Sequence, residues 1–219
     1  MSEVIITVRG ENEVRVAPEL ATVHLSVVQE GPERQTVVDA AMALAAPVRD
    51  GIASLQDAGS VAEWSSRRLD VSADRPWNNE GKRLAPVYRA SIAFTATFRD
   101  ISEMSLWATE LSGRDGVEIG HTEWKLTPET TAEREREVAT QAVDIAVSRA
   151  TAYAHALGLQ TVTPLEIADR GLISSSAPAP AGKAVRAAAF DMMAGAPTMQ
   201  FQGEDIVISA TVEARFSAS

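Results

Sequence analysis

Residues 4–31, VIITVRGENEVRVAPELATVHLSVVQEG, hold the reading on which the fold turns. A lone Gly10 stands among β-branched and charged residues, and Ala17-Pro18-Glu19 breaks the run. Val4, Ile6 and Val8 share one phase, and the same even-numbered phase resumes beyond Gly10 at Val14 and Val16. Arg9, Glu11, Glu13 and Arg15 take the other phase. A slip of one residue would have inverted this pattern, so the segment reads as one long strand. Gly10 then marks a bend or the close approach of another backbone. Ala21, Val23, Leu25 and Val27 give a second strand its apolar face. A phosphate-cradling dinucleotide loop needs more glycines and a helix directly after them, and neither follows. The spacing predicts a hairpin turning at Ala17-Pro18-Glu19.

Farther along, Val37, Ala41, Leu44, Val48, Ile52 and Leu55 fall at helical spacing within residues 33–58, and Gly59 stops the pattern. Pro47 interrupts it; a mid-helix proline costs about 3 kcal/mol and kinks the axis, so a bend is expected near Ala46. Residues 61–72 read as a less regular strand, followed by a polar, turn-rich loop carrying Trp77. Tyr88, Ala90, Ile92, Phe94, Ala96 and Phe98 alternate cleanly, as a strand with one buried face does. Asp100 with Glu103 caps a short helix whose buried stripe is Met104, Trp107, Ala108 and Leu111, ended by Gly113.

A strand over 117–126 precedes a long helix that Thr127-Pro128 opens and Gly158 closes. Its expected core positions are Val138, Ala142, Ile145, Ala146, Ala150, Tyr153 and Leu157, and its charge run at 133–137 reads as a solvated face. Residues 162–170 form a strand, and Ile206, Ile208, Ala210, Val212, Ala214 and Phe216 alternate in a final one. The class is α+β: two α+β subdomains with mostly antiparallel sheets and helices packed on one face. One subdomain joins 1–31, 88–171 and 204–219, and the other spans 32–87. Residues 172–203, rich in Ala, Pro, Ser and Gly, read as a flexible or docking arm.

A chain of 219 residues buries roughly 70% of its unfolded surface and needs no metal or disulfide to fold. It contains no cysteine, which removes disulfides, thiolate metal sites and Cys nucleophiles from consideration. The net charge of −10 argues against nucleic acid and anionic membrane as partners. The first residues lack the basic start and apolar run of a signal peptide, and no apolar stretch is long enough to span a bilayer, so a cytoplasmic location without membrane insertion is expected.

The histidines are His24, His121 and His155. His24 faces the polar side of the second strand, beside Thr22 and Ser26, and His155 lies near a helix end where a cation suits the dipole. No pair stands at metal-ligand spacing in the sequence, and no nucleophile elbow or P-loop occurs. No catalytic residue, cofactor or metal is therefore expected. Arg67-Arg68 is a small basic step that reads as a surface pair, and Glu123 with Asp70 is an acidic pair that the fold could bring together. Trp77, an apolar anchor in a polar loop, must fold back on its own sheet or meet a partner; folding back is the favoured reading. Val185, Ala189, Met192 and Met193, with Phe190 beside them, give a short helical face suited to docking on a neighbouring subunit.

The opening stretch, with Gly10-Glu11, Val16-Ala17-Pro18-Glu19-Leu20-Ala21 and Gly31, resembles the signature of the SIMPL-domain family, the YggE-like proteins that include bacterial periplasmic immunogenic antigens. Further segments agree in order and spacing: LQDAGSV, YRASIAFTATFRDISEM, AVDIAVSRATAYAHALGL and EDIVISATVEARF. The resemblance implies a two-part α+β fold and a homo-oligomer, ring-like among periplasmic members. It also implies roles in stress tolerance or as an adaptor, and brings no established catalytic residues. Glu19 stands where the family has Asp, Pro47 interrupts the first helix, and no export signal is seen. The expectation is a non-enzymatic, self-associating soluble scaffold or adaptor in stress protection. The alternative is a small-ligand-binding protein or enzyme with a pocket at a subdomain or subunit interface. Convergence of His24, His121 or Arg67 with carboxylates would favour the alternative.

Overall fold

The computed structural model describes residues 3–79, 81–173 and 203–219. In chain order the elements are β1 (Val4–Val16), β2 (Leu20–Gly31), α1 (Arg34–Asp57), β3 (Val61–Ser66), β4 (Asp70–Asp74), β5 (Val87–Phe98), α2 (Ile101–Ser112), β6 (Val117–Lys125), α3 (Pro128–Ala156), β7 (Val162–Asp169) and β8 (Ile206–Ala218). This is the α+β fold with antiparallel sheets that the residue patterns predict. No helix among the described residues is long and apolar enough to cross a membrane.

The predicted hairpin is not formed. β1 pairs with β8 along its whole length, from Val4 opposite Ala218 to Val16 opposite Ile206, while β2 pairs with β5 and β6. Alternation fixes which face of a strand is buried but not which strand lies beside it, so both readings satisfied the same pattern. Glu19 donates its backbone N–H to the Lys125 carbonyl and starts β2 on β6 instead of on β1. Contacts accordingly divide the chain into two compact units, with crossings among the described residues at Ala17–Pro18, Leu126–Thr127 and Glu204–Asp205. The sequence grouping keeps β1 and β2 in one subdomain, whereas the contacts part them.

In one unit a three-stranded sheet, ordered β1-β8-β7, carries α3 on one face. Ile6, Val8, Val212, Ala214 and Phe216 meet a stripe of Ala142, Ala146, Ala150 and Ala154. Each step of four residues returns an alanine to the sheet, so helix and strand backbones come into near contact. Gly10 is where they meet: a Cβ there would lie 1.9 Å from the Ala142 carbonyl oxygen. Close approach of another backbone, rather than a turn, is thus the reason for this glycine. Tyr153 and Leu157, expected in the core, are instead 51% and 62% exposed. With alanines at the interface, the bulkier side chains flank it.

In the other unit the sheet runs β3-β5-β2-β6, with β4 also pairing to β5. Ala21, Val23, Leu25 and Val27 of β2 all face inward, against Val48 and Ile52 of α1 and Met104, Trp107 and Leu111 of α2. Asp100 caps α2 as expected, accepting from the backbone N–H groups of Ser102 and Glu103. α1 runs unbroken through Pro47. Pro47 and Ala43, whose carbonyl loses its helical donor, both lie on the exposed side, open to solvent. The irregular strand at 61–72 resolves into β3 and β4, both on β5, with Arg67 at the break between them.

Candidate functional site

Because the odd-numbered residues of β2 face the helices, Thr22, His24 and Ser26 face the other way. Across β5 their partners are Thr97, Thr95 and Ala93. On the β6 side the register breaks: Val23 opposes Thr122 but Leu25 opposes Ile119, so Gly120 and His121 together stand opposite the single residue His24. This is a β-bulge, and it inverts the phase of β6. Val117 and Ile119 pack toward the core before it, and Trp124 does so after it. Without the bulge His121 would follow Val117 and Ile119 inward. With it, His121 and Glu123 stand on the face of His24. Gly120 permits the crowding, since a Cβ there would come within 3.0 Å of the His24 carbonyl oxygen.

The three side chains converge. The His24 and His121 rings stack with centroids 4.4 Å apart and planes 15° from parallel. Each presents its Nε2 at 3.3 Å from the same oxygen, Glu123 Oε1. The His121 contact has hydrogen-bond geometry, whereas His24 Nε2 is enclosed and, among the described residues, makes no hydrogen bond despite its proximity to that oxygen. On their far sides two of the three groups, His24 and Glu123, have neighbours. Thr95 Oγ1 lies 3.4 Å from His24 Nδ1, and Lys125 Nζ binds the other Glu123 oxygen, Oε2, at 2.9 Å. Hydrogen bonding from Lys125, then from His121, draws the Glu123 carboxyl from its usual 4.5 down to about 2. Glu123 is therefore an anion throughout the physiological range. Beside the cluster a shallow groove of about 410 Å³ is lined by His24, Ser26, Arg67, Thr95 and Glu118.

The arrangement offers two imidazole nitrogens and one carboxylate oxygen at a common point, with a guanidinium and a second carboxylate on the adjoining groove. Sequence spacing places no two histidines together; the fold does. The signal in the sequence was the shift of apolar phase from Val117 and Ile119 to Trp124 and Leu126, with Gly120 between. Arg67, read as a surface residue, lines the groove. Asp70 does not meet Glu123, because β4 and β6 are separated by β5 and β2. His155 sits in the last turn of α3, in the other unit.

Trp77 does not fold back under its sheet: it is 61% exposed, with the Arg83 guanidinium 4.9 Å from its ring centre. Val185, Ala189, Phe190, Met192 and Met193 lie outside the described residues.

Two comparisons with known proteins bear on identity. A family model, SIMPL, described as a protein of unknown function (DUF541), matches residues 6–216. No curated protein matches the chain.

Proposed function

The chain belongs to the SIMPL family, and from that premise we propose that it acts by binding a small polar ligand on the polar face of the β3-β5-β2-β6 sheet, without transforming it. The supporting observation is the convergence of His24, His121 and Glu123 beside a groove carrying Arg67. Such gathering of titratable groups on one face is the usual mark of a ligand site. Binding is favoured over catalysis by the neighbours of two of the groups. Glu123 is ion-paired with Lys125, and the Thr95 hydroxyl stands 3.4 Å from His24, longer than the approach typical of an activated nucleophile. A thermal-shift screen of metabolites and ions tests the reading. At least one compound should raise the Tm of the full chain and lose that effect in His24→Ala; a screen in which every shift survives the substitution rejects it.

A second reading, the self-associating scaffold, draws on the other unit. Ile5, Tyr153 and Leu157 are exposed together and line a shallow apolar groove along the edge strand β1. Ile5→Lys with Leu157→Lys should lower the mass measured by light scattering. A wild-type chain that is monomeric at high concentration removes this reading.

A further inference from the structure

We infer that the ligand of the His24–His121–Glu123 cluster is a divalent transition-metal ion of the imidazole-preferring kind, represented by Zn²⁺. The inference deepens the binding reading and rests on it. One donor atom from each of His24, His121 and Glu123 lies within 4.8 Å of the others. Two donors on one tetrahedral zinc stand roughly 3.3 Å apart, given zinc–nitrogen bonds of about 2.0–2.1 Å. Both imidazole nitrogens are at 3.3 Å from Oε1, so the carboxylate oxygen already has this spacing to each.

The surroundings match what a metal site needs outside its ligands. A ligating imidazole is normally fixed through its other nitrogen, and a ligating carboxylate through its other oxygen. Thr95 stands at His24 Nδ1, and Lys125 takes Glu123 Oε2. The atoms left facing the common point are the three donors. Among them His24 Nε2 is the enclosed nitrogen that makes no hydrogen bond, a buried polar atom whose cost a bound cation would remove. Because an imidazole ligates through a lone pair in its ring plane, the two stacked rings must turn out of parallel for both nitrogens to serve one ion.

The donor chemistry selects the ion class. Two nitrogens and one oxygen suit zinc, nickel or copper, whereas calcium and magnesium take oxygen sets. With three protein ligands the ion would keep an open position.

Isothermal titration of the untagged, chelator-stripped full chain with Zn²⁺ alone tests the inference. The expected result is one ion per chain, with affinity falling by at least about tenfold in His24→Asn, in His121→Asn and in Glu123→Gln. His155→Asn should leave it unchanged, and Mg²⁺ should give no binding heat. Zinc binding of full strength in both His24→Asn and His121→Asn, or none in the wild type, overturns the metal assignment. If zinc fails while the thermal-shift screen still finds an organic ligand dependent on His24, the metal assignment alone falls. If both fail, the binding reading falls with it.

Discussion

Gly10 sits where a side chain would enter the backbone of a helix. A methyl group there meets the Ala142 carbonyl oxygen at 1.9 Å and the Ala146 nitrogen at 2.8 Å, and neither is the end of a flexible side chain. Gly10→Ala should destabilise the protein by about 2–3 kcal/mol or more, read from the urea midpoint at unchanged slope. An unaltered midpoint would mean that α3 does not rest on β1. Glu123 makes a prediction of the opposite kind, about charge. Its folded pKa lies below its ordinary value, so its favourable interactions are complete above about 4.5 and are lost as pH falls toward about 2. In metal-free protein, NMR titration of the side-chain carboxyl should show a midpoint near 2, and Lys125→Met should move it upward. A midpoint near 4.5 in the wild type would show that Lys125 and His121 do not hold this carboxylate.

At the scale of elements, α3 shows how a periodic pattern can be read correctly and still assign the wrong bulk. The helix bounds follow from Thr127, Pro128 and Gly158, and the buried positions 138, 142, 146 and 150 from their spacing. Tyr153 and Leu157 were drawn into that stripe because they are apolar, yet the interface is too close for them. Ala150→Leu should therefore cost about 1–3 kcal/mol through overpacking, while Tyr153→Ser should fall within about 0.5 kcal/mol of wild type. Equal effects in urea unfolding would contradict the alanine interface. The strands teach a related lesson. Alternation in β1, β2, β5 and β8 gave their buried faces, because side-chain direction is local. Partner choice is not local: β1 finds β8 about two hundred residues away, and no three-residue connection could reveal that. The bulge at Gly120 and His121 lies between these cases. Its phase shift is written in Val117, Ile119 and Trp124, but only pairing with β2 shows that it brings His121 over His24.

At the scale of the molecule, two cores account for the fold class that composition and patterning indicated. One gathers around β2, β5, α1 and α2, and the other around β1, β8 and α3. The site belongs to the first and is assembled from residues 22–26, 67, 95 and 118–125, which only tertiary pairing unites. That is why three scattered histidines gave no constellation in the sequence. The net charge of −10 fits a binder of cations better than one of nucleic acid. The central claim is that His24, His121 and Glu123 share one point in space, and imidazole nitrogen NMR during zinc titration tests it most directly. The Nε2 signals of His24 and His121 should shift together and saturate at one equivalent while His155 stays still. Signals of His24 and His121 that do not respond, or that respond no more than His155, would contradict it.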